Sequence, residues 1–139
     1  MDASGRDPRA NTDSQMAIRV SCLLKKRPEM TLEQFSAYWN GHGNLFTSQK
    51  ATKDNVIRYN QFRLAPQHSE KLAAAGFPIA PYDGIADVYV DKLEDLFALF
   101  ADEDVKKNVL PDEANFLDKS QIQAVLVGEN NIKWEKPQA

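Results

Sequence analysis

His42 is the residue of this chain best suited to moving protons. It stands in the segment RPEMTLEQFSAYWNGHG, Arg27–Gly43. An imidazole titrates near neutrality, so it can protonate a carbanion or take a phenolic proton at working pH. Leu32, Phe35, Trp39 and His42 recur at the spacing of one helical stripe, which delivers the imidazole to an apolar face. Gly41 and Gly43 bracket it, and this spacing predicts that the helix ends there. The competing reading is a helix-end histidine bonded to a nearby carbonyl and favoured by the helix dipole. Asp87 is the second candidate. It lies inside YDGIADVYV, Tyr82–Val90, and alternates with Ile85 and Tyr89. An unpaired carboxylate in the middle of a strand is costly to bury. Asp87 therefore either orients His42, holds a raised pKa and acts as an acid, pairs with Arg58 on the next strand, or sits at an exposed edge.

Groups that could bind a substrate surround these two. The hydroxyls of Tyr38, Tyr59, Tyr82 and Tyr89 suit phenolic or keto oxygens, although buried tyrosines often only satisfy core hydrogen bonds. Tyr59 ranks first, because it shares a strand face with Ile57 and Gln61. Phe35 and Trp39 offer a wall for a flat ring, or simply core. His68 follows Pro66 in a polar stretch and reads as a surface residue or as part of a lid. Asp83, beside Gly84, reads as a turn or cap residue. Asp112 and Glu113 read as a solvated helix start, with a place in the pocket as the lesser reading. Lys25, Lys26 and Arg27 read as a charged strand end, or as a cluster recruiting a substrate carboxylate. Cys22, the only cysteine, sits in an apolar alternation and reads as a small buried hydrophobe. Two histidines at no metal-binding spacing predict no metal site.

The elements that must position these residues follow from periodicity. Residues 17–25 alternate and predict a first strand, stopped by Pro28. Thr31 with Gln34 forms a capping box that opens a helix over 31–42. Residues 55–63 predict a second strand, 67–76 a short helix with a glycine stop, and Tyr82–Val90 a third strand. Asp91 is expected to cap a second main helix in KLEDLFALFAD, with Leu93, Leu96, Phe97 and Phe100 as its apolar stripe. DEANFLD, Asp112–Asp118, leads to a last strand over Ile122–Gly128. The tail after it can dock through Ile132 and Trp134. This β-α-β-α-β-α-β order is the ferredoxin-like split βαβ pattern, an α+β fold with a four-stranded antiparallel sheet and two main helices on one face. Apolar residues on both strand faces call for a cover on the other side, and a second copy of the chain is the simplest one.

Composition bounds the function. The chain has 139 residues, of which 42% are apolar and 27% charged, which is one domain's worth of ordinary globular sequence. A net charge of −3 leaves no excess of cations for nucleic acid or an anionic membrane. No apolar run approaches a membrane span. Residues 1–15 are polar, lack an apolar signal core and read as a disordered tail, so a cytoplasmic protein is expected, with one domain over 16–135 and a short tail over 136–139.

The element order and three motifs together resemble the EthD-like branch of the dimeric α/β-barrel superfamily. RPEMTLEQFSAYWNGHG is similar to its arginine-proline, helix, tryptophan, histidine-glycine signature. YDGIADVYV is similar to its tyrosine-aspartate-glycine strand with an acidic residue further along. DEANFLD resembles the acidic stretch before its last strand. One departure is Asn44, where the family usually carries proline. The resemblance implies a homodimeric α/β barrel acting without a cofactor on aromatic, polyketide or lactone substrates. It implies most specifically a fungal decarboxylase or dehydratase of anthrone-type polyketide acids. On that reading His42 donates the proton, Asp87 positions the imidazole, and Tyr59 or Tyr82 bonds the keto oxygen. Cyclases and cofactor-free oxygenases are further possibilities within it, and a non-catalytic binder remains outside it.

Overall fold

Four strands form one antiparallel sheet in the order β2-β3-β1-β4. They are β1 (Ile18–Leu24), β2 (Arg58–Arg63), β3 (Gly84–Val90) and β4 (Ala124–Glu129). The computed structural model describes residues 17–121 and 124–138. The tail expected over 1–15 and the first two residues of the expected last strand, Ile122 and Gln123, lie outside the described residues. Register places Val20 beside Val88 and Cys22 beside Ala86 in the centre of the sheet. Tyr59 stands beside Val88, and Gln61 beside Ala86. These residues face the helices. Arg19, Ser21, Asn60, Phe62, Ile85, Asp87 and Leu126 occupy the opposite face, as pleating requires.

Among the described residues, four α-helices accompany the sheet: α1 (Leu32–Ser48), α2 (Lys50–Asn55), α3 (Pro66–Ala74) and α4 (Leu93–Ala101). Thr31 caps α1 and completes the capping box with Gln34, as the sequence predicts. The helix does not end at the glycines. It runs on to Ser48. Each interior glycine costs about 1 kcal/mol, but Phe46 one turn later is buried against Val88, Val90 and Leu99, and that burial outweighs the cost. Asn44 also keeps the amide hydrogen that a helix-interior residue donates and a proline would lack. His42 thus sits inside a helix, not at its end. Gly43 has its own reason: a Cβ there would collide with the Gln61 side-chain amide.

Other boundaries shift. The short helix α2 ends on Asn55, which was expected to open the second strand, and β2 begins at Arg58. Asp91 is not the cap of α4; Lys92 holds that position without a side-chain bond. α3 buries no residue, and the chain leaves it through Gly76 in the left-handed region at φ 95°. The stretch after α4 is a π-helical turn, Val105–Val109, followed by a 3-10 turn, Leu110–Asn115. The core has two parts. One joins α1, α4 and the turns to Val88 and Val90. The other gathers Leu24, Phe35, Trp39, Phe116 and Leu117. Ile132 and Trp134 do not dock on the chain; Trp134 is 77% exposed. Among the described residues no helix is long and apolar enough to cross a membrane.

Candidate active site

The three motifs meet at one place. Lys25–Arg27, at the end of β1, is zipped to the segment after the 3-10 turn. Arg27 N donates to Phe116 O, Asp118 N donates to Lys25 O, and Lys26 bridges Leu117. Asp83 latches the same strand end, donating its backbone N–H to Leu24 O and accepting from Lys26 N at 2.9 Å. The Trp39 ring lies on Gly84: a Cβ there would stand 2.7 Å from Cζ3. The aromatic stack Phe35–Trp39, at 5.4 Å, continues to Phe116, and the His42 ring packs on Phe116 at 4.8 Å.

Between α1, the sheet and the turns lies a cavity of about 90 Å³. Cys22, Leu24, Trp39, His42, Tyr59 and Glu113 are among its lining residues. His42 is only 8% exposed. Its Nδ1 lies 2.8 Å from Asp112 Oδ2. The other oxygen of Asp112 accepts from Tyr38 Oη at 2.7 Å and from Asn115 Nδ2 at 3.0 Å. Burial pushes the Asp112 carboxyl up, but the bonds from Tyr38, His42 and Asn115 outweigh it and hold the group below the usual carboxylate range. The bond to Asp112 in turn pushes the Tyr38 hydroxyl up. An ionised carboxylate can only accept, so His42 Nδ1 carries the hydrogen, and Nε2 is the nitrogen left for a molecule in the cavity. Such a dyad fixes the ring's orientation and its tautomer, the arrangement a general acid or base requires.

Asp112, read from the sequence as solvated, is thus the partner of His42. Asp87 is not. It is 4% exposed, but it belongs to the opposite face of the sheet. There Arg19 Nε and Nη2 reach its two oxygens at 3.0 and 3.1 Å, and the Ser21 hydroxyl donates to it. The ion pair considered with Arg58 on β2 is made with Arg19 on β1 instead. Alternation along YDGIADVYV was read correctly, but which face holds the cavity is decided by where the helices pack. Tyr59 lines the cavity, and burial pushes its hydroxyl up. Trp39 lines it as well, whereas Phe35 stands behind Trp39 and Tyr38 acts through Asp112. His68 is exposed on α3 and Tyr82 is half-buried in the loop before β3; neither reaches the lining. Among the described residues no group of three or more His, Cys, Asp or Glu side chains is arranged to hold a metal ion.

Residues 27–120 match the model of the EthD domain. The chain belongs to the EthD family. The matched span of this EthD protein begins at the arginine of the first motif and ends just past the third, so it contains His42, Tyr59, Asp112 and Glu113. No curated protein matches the chain. Several solved structures share its fold. A dimeric ferredoxin-like protein of unknown function from Bacteroides fragilis is 13% identical, with a TM-score of 0.56 over 84% of this chain and 98% of that one. A dimeric ferredoxin-like protein of unknown function from Thermobifida fusca is 15% identical, with a TM-score of 0.55 over 82% and 91%. An EthD family protein from Bacillus halodurans is 15% identical, with a TM-score of 0.54 over 83% and 99%. The likeness is one of fold, and it establishes the ferredoxin-like α+β architecture.

Proposed function

We propose that this EthD protein is a cofactor-independent acid/base enzyme acting on an aromatic polyketide intermediate, and that it decarboxylates an anthrone-type polyketide carboxylic acid. One observation carries the reading: a buried imidazole, fixed through Nδ1 by an ionised carboxylate, with Nε2 left to a largely apolar cavity. Such a substrate has its own electron sink, because a ketone or hydroxyl-bearing ring beside the carboxyl accepts electrons as CO2 leaves. The protein then has to desolvate the carboxylate, hold the ring and supply a proton. His42 gives the proton, Asp112 holds the imidazole, Tyr59 meets the keto oxygen and Trp39 the ring. The cavity of about 90 Å³ is smaller than the roughly 150 Å³ that admits benzene in an apolar protein cavity. A fused-ring acid therefore inserts its reacting edge and leaves its far rings at the mouth, beside the half-exposed Phe100 and Leu110.

The open sheet face supports a homodimer as part of this proposal. Phe62 and Leu126 stand on it 55% and 64% exposed, and a groove of about 270 Å³ runs past Arg19, Ser21 and Leu126. The neighbours from Bacteroides fragilis and Thermobifida fusca are dimeric.

The test is incubation of the protein with an anthrone-type carboxylic acid, with and without oxygen, followed by mass spectrometry. Loss of CO2 without oxygen is expected. His42→Ala should slow it by about 10²–10⁴-fold. Uptake of oxygen would make the protein an oxygenase, loss of water a dehydratase, and binding without any mass change an accessory binder.

A further inference from the structure

The 3-10 turn Leu110–Asn115 sends two adjacent carboxylates in different directions. Asp112 turns to Tyr38 and to the outer nitrogen of His42. Glu113 turns to the lining of the cavity that holds the His42 ring. Its Oε1 is tethered by Lys119 Nζ at 2.9 Å, and its other oxygen has no partner among the described residues. The Glu113 side chain is 31% exposed. Its charge is felt inside: burial first, and then Glu113, push the Cys22 thiol up. The lining contains no lysine or arginine. His42 and Glu113 therefore supply the one imidazole and the one carboxylate of the lining.

We infer that Glu113 is the second catalytic group of this cavity, the base that takes the hydroxyl proton of an ortho-hydroxy aromatic acid while His42 protonates the ring. This rests on the decarboxylase reading above. The substrate O–H bond breaks and its proton passes to Glu113. The oxygen's electron pair forms a carbonyl, and the ring carbon bearing the carboxylate takes a proton from Nε2 of the doubly protonated His42 ring, whose Nδ1–H stays hydrogen-bonded to Asp112. The bond from that carbon to the carboxylate then breaks. Its electron pair restores the aromatic ring, the oxygen recovers its proton from Glu113, and CO2 leaves. The net change is one proton taken up from His42, which is replaced from water, and no oxidant or reductant is consumed. Two separate groups are needed because the hydroxyl and the carboxyl-bearing carbon are different atoms, and one imidazole nitrogen cannot serve both at once.

Two readouts test this on the full chain. One is CO2 release from an anthrone-type ortho-hydroxy acid. The other is deuterium exchange from D2O into resorcinol, which needs hydroxyl deprotonation, deuteration of the carbon beside it and loss of that carbon's hydrogen to His42. Glu113→Gln should slow both by about 10²-fold or more. Glu113→Asp, which keeps the carboxylate, should recover part of each. Unchanged rates of CO2 release or of exchange in Glu113→Gln would overturn the role of Glu113. If the wild-type chain exchanges deuterium through Glu113 but releases no CO2, the decarboxylase reading falls and Glu113 stands. If the wild-type chain does neither, both fall.

Discussion

Asp112 and Asp87 are both buried or nearly so, both hydrogen-bonded, and both close to a candidate site on paper. Their partners separate them. Asp112 accepts from the imidazole and so controls which nitrogen of His42 carries the hydrogen. Asp112→Asn offers an amide that no longer enforces this tautomer, and turnover should fall by roughly 10²-fold or more. Asp87 faces Arg19 and Ser21 across the other sheet face. Asp87→Ala should cost about 1–3 kcal/mol of stability through the lost charged hydrogen bonds, while turnover per folded molecule stays the same. Chemical denaturation and initial rates on the two variants check this pair of outcomes. Asp112 also makes a prediction about acid. Its folded carboxyl titrates below the ordinary value of 3.8, so the folded state holds that proton more weakly than the unfolded one. The stability it contributes is complete above that ordinary value and is lost as pH falls through the lower, folded one. Denaturation of Asp112→Asn should lack this part of the acid dependence.

At the level of elements, α1 carries the site and the glycines of its last motif behave differently from one another. Gly41 faces solvent inside the helix, and an added Cβ would meet nothing within 4 Å. Gly41→Ala should therefore stabilise the chain by about 0.5–1 kcal/mol and leave turnover alone. Gly84 on β3 is the opposite case. Its missing side chain is where the Trp39 ring rests, and Trp39 is wedged between that glycine and Phe35. Gly84→Ala should cost about 1–3 kcal/mol by overpacking and disturb the cavity through Trp39. Thermal melts of the two variants should move in opposite directions. The irregular turns over Val105–Asn115 matter as much as the helix. The 3-10 turn, tied to β1 through Phe116 and Leu117, carries Asp112 to His42 Nδ1 and Glu113 to the lining of the cavity.

For the whole molecule, the question is what covers the second face of the sheet. The core helices pack on the first face; on the second, Ser21, Asp87 and Tyr89 at the centre are buried, while Phe62 on β2 and Leu126 on β4, the two edge strands, are exposed. Long apolar edges are a liability unless a partner covers them. We expect the chain to sediment as a dimer, and Phe62→Glu with Leu126→Glu to shift it to monomer in light scattering. A wild-type monomer at micromolar concentration would rule this assembly out.

The order of elements, the antiparallel ferredoxin-like sheet, the Thr31 capping box and the place of His42 on an apolar stripe were all legible in the residues, because they depend on periods of two and 3.6 and on local capping chemistry. The family was legible too, through three motifs in order. The partner of His42 was not. Asp112 lies seventy positions away, in a polar stretch with neither helical nor strand periodicity, and nothing local distinguishes it from a solvated carboxylate. Asp87 looked better because its alternation was clear, yet alternation says only that residues share a face. Which face meets the helices, and hence which carboxylate meets the imidazole, is decided by long-range packing: Phe46, Val88, Val90 and Leu99 close one side, and the zip between Lys25–Arg27 and Phe116–Asp118 carries Asp112 and Glu113 to it.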